Sequence, residues 1–116
     1  MSMLESFVTL ISNATAAEDR VYPQVAPDGV RRPFIVYQRI STNSENVLDG
    51  RTGLNNTRLQ VDVYAASYAQ AQQIASDIDA LMDGWPFQTV SIVSQDLFES
   101  EVKLHRVMSD YSIWHD

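Results

Sequence analysis

The sequence predicts an α+β fold: one domain spanning residues 1–116, with a mainly antiparallel sheet of four to five strands and two amphipathic helices on one face. Three observations predict it. From Thr57 to Ala65 apolar and polar residues alternate, with Leu59, Val61 and Val63 on one side and Arg58, Gln60, Asp62 and Tyr64 on the other, the period of a half-buried strand. The period then switches to that of a helix, with Ala71, Ile74, Ala75, Ile78, Leu81 and Met82 recurring until Asp83-Gly84. From His105 to His115 strict alternation returns, with Val107, Ser109, Tyr111 and Ile113 opposite Met108, Asp110, Ser112 and Trp114.

In chain order, Ser2 to Ala16 reads as a first helix whose apolar stripe is Met3, Leu4, Phe7, Val8, Leu10, Ile11 and Ala14. Val21 to Val25 is a short strand, closed by the turn chemistry of Ala26-Pro27-Asp28-Gly29. Phe34 to Ile40 is the next strand. Ser41 to Asn55, with two glycines, three asparagines and little periodicity, reads as a long loop, too long for a tight hairpin. After the strand at Thr57 to Ala65, Ser67 caps the second helix and Gln70 stands where a capping box needs it. Helical phase points Ile78 and Leu81 at the sheet near Val61 and Val63. Trp85-Pro86 breaks the chain direction, Phe87 to Ser94 forms a strand, and Leu97 to Glu101 fits neither period.

Length and composition narrow the function. A chain of 116 residues buries about two-thirds of its unfolded surface and folds without staples. With no cysteine it has no disulfide framework, thiolate metal site or cysteine nucleophile, and it fits a reducing cytoplasm. The N-terminal stretch has neither a basic start nor a long apolar run, so no membrane partner is expected. Fifteen acidic residues against eight basic give a formal charge of −7, and Lys103 is the single lysine. Phosphate binding needs clustered Lys and Arg, and Arg31-Arg32 is a lone local pair, so no sequence-specific nucleic-acid partner is expected. An acidic surface of this kind is most often a solvated one; it also suits the wall of a conduit through which DNA slides.

The catalytic signals fail one by one. His105 and His115 stand ten residues apart on one strand, about 33 Å, too far to share an ion within one subunit. Gly50-Arg51-Thr52-Gly53 has the spacing of an RNA-binding GxxG loop but leads into a strand of an acidic chain rather than lying between helices. Asp77 flanks the apolar stripe of its helix and Asp79 and Asp83 lie on the polar side, so the three read as a solvated face, and Ser67 is a cap. No nucleophile elbow or phosphate loop occurs. The expectation is no enzyme, no cofactor, no metal and no catalytic residue.

The segment Asn56 to Gly84, together with Pro33-Phe34-Ile35-Val36-Tyr37-Gln38, Val61-Asp62-Val63-Tyr64-Ala65 leading to Tyr68-Ala69-Gln70-Ala71, and the closing Asp110-Tyr111-Ser112-Ile113-Trp114-His115, resembles the tail-completion family of long-tailed bacteriophages. The likeness runs from about Leu4 to His115. It implies a structural virion subunit that forms a ring, a hexamer by resemblance, and terminates the tail tube or joins tail to head. The implied partners are further copies of the chain, the tail-tube protein and head-completion proteins, and the implied location is the virion, with the host cytoplasm during assembly.

With both helices on one face, the other face of the sheet needs a cover. Tyr64 and Trp114 fall on it, with Tyr37 a candidate third member, and exposed aromatic patches commonly mark partner surfaces. The competing account is a second core layer made by the protein's own loops. In the Ser41 to Asn55 stretch Val47 and Leu48 are the one adjacent apolar pair, and with Arg51 they are the candidate assembly-loop contacts. The alternative function is a small cytoplasmic binding or regulatory domain that dimerises through its sheet.

Overall fold

The computed structural model describes the backbone of residues 2–47 and 50–116, and the side chains of that chain outside 44–54. The order is α1 (Met3–Ile11), β1 (Val21–Pro23), β2 (Phe34–Val47), β3 (Gly50–Ala65), α2 (Tyr68–Asp83), β4 (Gln88–Glu99) and β5 (Leu104–His115). The five strands form one mixed sheet in the order β1-β2-β3-β5-β4, antiparallel except where β1 runs parallel to β2.

Helix α1 begins with a full capping box. Glu5 N donates to Ser2 Oγ at 3.1 Å, and Ser2 N donates to Glu5 Oε1 at 3.3 Å. It is shorter than the predicted Ser2 to Ala16. Ser12 N closes onto Val8 O, and Asn13 takes a left-handed φ of 61°, a conformation asparagine tolerates and a helix does not continue through. Met3, Phe7 and Ile11, spaced four apart, are the buried line. In α2 the buried line is Ala71, Ile74, Ile78 and Met82. Leu81 sits at its flank, partly buried, so the predicted pairing of Ile78 with Leu81 under the sheet is corrected by one position, to Met82. Ser67 Oγ accepts from Gln70 N at 3.2 Å, as its capping role requires.

Both helices lie on one face. Their buried lines meet Ile35, Leu59, Val61, Val63, Val107, Tyr111 and Ile113, and Trp85 closes the end of this core edge-on to Phe7 and Phe87, with its indole N–H bonded to Thr89. The strand alternation read from the sequence places these residues. Val61 lies opposite Ser109 and Val63 opposite Val107, so the two apolar sets share one face. On the other face the chain between β1 and β2 folds back over the sheet, where Ala26 and Val30, with Tyr22 of β1 and Tyr64, pack against the buried Phe34, Val36 and Leu104.

Three strands, β2, β3 and β4, run further than their sequence signals. The ambiguous Leu97 to Glu101 stretch continues β4 to Glu99 before a turn in which Lys103 has φ 55°. The predicted loop at Ser41 to Asn55 is strand on both sides: β2 and β3 pair from Phe34↔Tyr64 out to Val47↔Gly50. Backbone hydrogen bonding satisfies this polar stretch without apolar alternation, and periodicity therefore could not reveal it.

Candidate functional site

The outer face divides into two ends. At one end Tyr64 stacks on Phe34, with centroids 4.9 Å apart and planes 13° from parallel, and the Arg106 guanidinium lies over the Tyr64 ring 5.6 Å from its centre. Arg106 donates to Asp62 at 3.1 Å and to Glu99 at 3.0 Å, and Gln60 donates to the other Asp62 oxygen at 2.9 Å. Burial pulls the Arg106 pKa down, but the bonds to Asp62 and Glu99 outweigh it and hold the guanidinium charged. Burial likewise raises the Tyr64 phenol. Beside these groups Gln24, Val25 and Ala26 rim an open hollow of about 340 Å³. Tyr64 is thus partly buried against the protein's own chain.

Replacing Arg106 with methionine keeps apolar bulk against Tyr64 but leaves Asp62, whose side chain is 7% exposed, with Gln60 as its remaining partner. Stability should fall by about 2 kcal/mol in urea titrations, because a buried carboxylate loses its cation. The Asp62→Asn, Arg106→Met double variant should recover part of that loss.

Trp114 lies at the other end. It stands opposite Asn56 on β3 and Gln88 on β4, whereas Tyr64 stands eight residues further along β3, about 26 Å away. Between them the outer face carries Arg58, Gln60, Asp62, Met108, Asp110 and Ser112, with Arg58 bonded to Asp110 at 3.4 Å and Asn56 to Ser112 at 2.8 Å. The single aromatic patch expected from the sequence is therefore two separate sites with a polar floor between them. Tyr37 belongs to neither. It packs on the helix face against Phe7, with ring centroids 5.4 Å apart, because β2 turns its odd-numbered residues toward the helices.

At the Trp114 end the β2–β3 hairpin leaves the sheet. Pairing of β3 with β5 stops at Asn55↔His115, but β2 and β3 continue together to Val47↔Gly50. This two-stranded arm projects about 17 Å past the body, and the domain measures 52 × 25 × 24 Å. The backbones of Val47 and Arg51 lie in the arm; their side chains, and Leu48 altogether, are outside the described residues. The arm's base is fastened by Thr57, whose hydroxyl meets Thr42 at 2.8 Å and His115 Nε2 at 2.7 Å.

The helix face offers one further feature. Between α2 and β4–β5 an open groove of about 470 Å³ is lined by Ser76, Asp79, Asp83, Thr89, Ser91 and Tyr111. The Tyr111 hydroxyl donates to Asp79, and burial together with that carboxylate pushes the phenol pKa up. Asp79 is therefore tied to the sheet, not simply solvated. His105 meets the rings of Phe98 and Tyr68, and His115 meets Phe87 and Thr57. Among the described residues no cluster of His, Asp and Glu has the geometry to hold a metal ion. No described helix is long and apolar enough to cross a membrane.

Sequence reasoning missed the Asp62–Arg106–Glu99 cluster and the open edge of β4. Asp62 and Arg106 do stand at outward positions of two alternating strands with opposite charge. What the sequence lacks is the register that sets Tyr64 opposite Arg106 and so brings them together.

A chain in the structure of the virion of native gene transfer agent (GTA) particle shares the fold, with a TM-score of 0.60 at 15% identity, over 96% of this chain and 92% of that one. A comparison with curated proteins finds no match. The family model described as tail completion protein gp17 matches residues 8–116. The chain belongs to that family, and is a structural protein of phage tail assembly and not an enzyme.

Proposed function

We propose that this protein is a ring-forming subunit, hexameric by resemblance, that terminates the tail tube, joins the tail to the head, or does both. One annular face docks on the last ring of tail-tube protein and stops its polymerisation, and the other meets head-completion proteins in the virion. The observation that carries this reading is the β2–β3 arm. Among the described residues, strand pairing beyond Asn55 is between β2 and β3 alone, and a two-stranded ribbon of this kind reaches a neighbour or a tube subunit at a distance the body cannot.

Purified protein mixed with polymerising tail-tube protein tests the reading directly. The expected result is shorter tubes with a ring at one end in negative-stain images; tubes of unchanged length and bare ends overturn it. Trp114 is the side chain at the foot of the arm, and Trp114→Asp should abolish capping while far-ultraviolet circular dichroism stays unchanged. A charge placed in a desolvated contact weakens it strongly, whereas on a free surface it changes little. A variant that unfolds makes Trp114 a packing residue, and one that still caps removes it from the interface.

A further inference from the structure

The strand order leaves the sheet with two open edges. Strand β4 is hydrogen-bonded to β5 alone, and its residues Val90 to Asp96 are exposed without a break. On the opposite side β1 covers β2 only at Ile35 to Tyr37, so Gln38 to Asn43 is open and exposed too. Open edges are normally blunted with lysine or proline. Neither strand contains one. Each instead carries a β-bulge that turns out an isoleucine: Ile40, 50% exposed, and Ile92, 47% exposed, the latter between exposed Val90 and Val93.

The two bulges flank one rung of the sheet, on opposite sides of it. Arg39 pairs with Leu59, Leu59 with Tyr111, and Tyr111 with Ser91, so one rung of the sheet runs from the residue before one isoleucine to the residue before the other. We propose that neighbouring copies of this chain join head to tail along these edges, β4 of one subunit pairing with β2 of the next. This rests on the ring reading above and says how its subunits meet. Because β2 and β4 run in opposite directions, a sheet continued in the same sense sets them antiparallel, and without a register shift it brings Ser91 opposite Arg39 of the next copy, with Ile92 and that copy's Ile40 flanking this pair on opposite sides.

Charge selects this pairing over a symmetric one. Residues 68–99, which hold α2 and β4, carry five carboxylates (Asp77, Asp79, Asp83, Asp96 and Glu99) and no basic residue. Residues 18–43, which hold β1 and the open part of β2, carry four arginines against three acids. On the strands themselves, Arg39 is the charge of the open β2 run, and Asp96 and Glu99 are those of β4. Two β4 edges face to face would set five negative charges against five, whereas β4 against β2 does not. A heterologous contact of this kind closes into a ring when its rotation permits. A single edge pairing of this length falls well short of the roughly 800 Å² per partner of a stable complex, and every copy carries −7. The free protein is accordingly a monomer, and the contact forms when the tube end gathers copies together.

The chain has no cysteine, so cross-linking reads the contact directly. Ile40→Cys and Ile92→Cys proteins are prepared separately and mixed on tail-tube protein, and a flexible bis-maleimide is added so that a small register offset does not hide the contact. The expected result is a cross-linked dimer from the mixture, none from either variant alone, and a ladder from the double variant. Tubes capped by both variants without a cross-link in the mixture overturn the edge contact and leave the ring reading standing. A dimer from Ile92→Cys alone overturns it in favour of symmetric pairing. Failure of the unmodified protein to cap tubes removes the ring and the edge contact together. As a second readout, Ile92→Lys should lose capping with an unchanged melting curve, and retained capping counts against the proposal.

Discussion

Ile78→Ala should destabilise the domain by about 2–5 kcal/mol, the largest loss expected from a single truncation in α2. Ile78 is 1% exposed and lies in the line Ala71, Ile74, Ile78, Met82 that meets the sheet at Val61, Val63 and Tyr111. Removing its three outer carbons leaves a cavity that the strands cannot close, because both flanking positions of the line are themselves filled. Leu81→Ala should cost clearly less, since Leu81 is only partly buried at the edge of the cluster. Asp79→Ala should fall between a surface change and a core change, at about 1 kcal/mol, because it strips the partner from the buried Tyr111 hydroxyl. Thermal and urea unfolding of the three variants orders them. Equal losses at Ile78 and Leu81 would mean that α2 is rotated about its axis relative to the core described here.

The difference between Leu81 and Met82 shows how far sequence reading reaches. Hydrophobic spacing located α2, its Ser67 cap and its apolar side, because those follow from one helix alone. Which residue on that side is deepest depends on where the helix crosses the sheet, and a one-position change alters the answer. The alternation in β3 and β5 likewise assigned each residue to the correct face, and placed Tyr64 and Trp114 outward. It could not show that they stand about 26 Å apart, nor that the chain after β1 folds back beside one of them, since both are facts of register and long-range packing. Tyr37 failed for a simpler reason. Phe34, Ile35, Val36 and Tyr37 are all apolar, the strand is covered on both faces, and without alternation its phase is unreadable.

The Ser41 to Asn55 stretch was the largest departure, because asparagine, serine and glycine mark turns in most contexts and here line a ribbon whose partners are backbone groups. The ladder is made of backbone groups, which every residue type carries, so composition describes the stretch as a loop.

Replacing residues 45–54 with Asn-Gly should therefore leave the melting temperature almost unchanged and abolish tail completion. The cut is placed where the structure allows it. Ser44 pairs with Asn55, so a two-residue Asn-Gly turn closes the shortened hairpin with the strand twist intact. The pairs that fasten the ribbon to the body are kept, among them Thr42↔Thr57, Asn56↔Trp114 and Asn55↔His115. What is lost is a ladder that makes no strand pairing to the rest of the sheet beyond Asn55, and a shorter connection lowers the loop-closure cost slightly, so the two effects on stability are small and opposed. In a phage carrying this version, the expected phenotype is overlong tails, or full heads and free tails that do not join, with soluble protein at normal levels. Normal phage yield would remove the ribbon from the assembly mechanism. A marked drop in melting temperature would mean instead that the ribbon packs on the body as part of its fold. Adding back the full-length protein in trans should restore tail length, which ties the defect to the shortened ribbon and not to a change elsewhere in the phage.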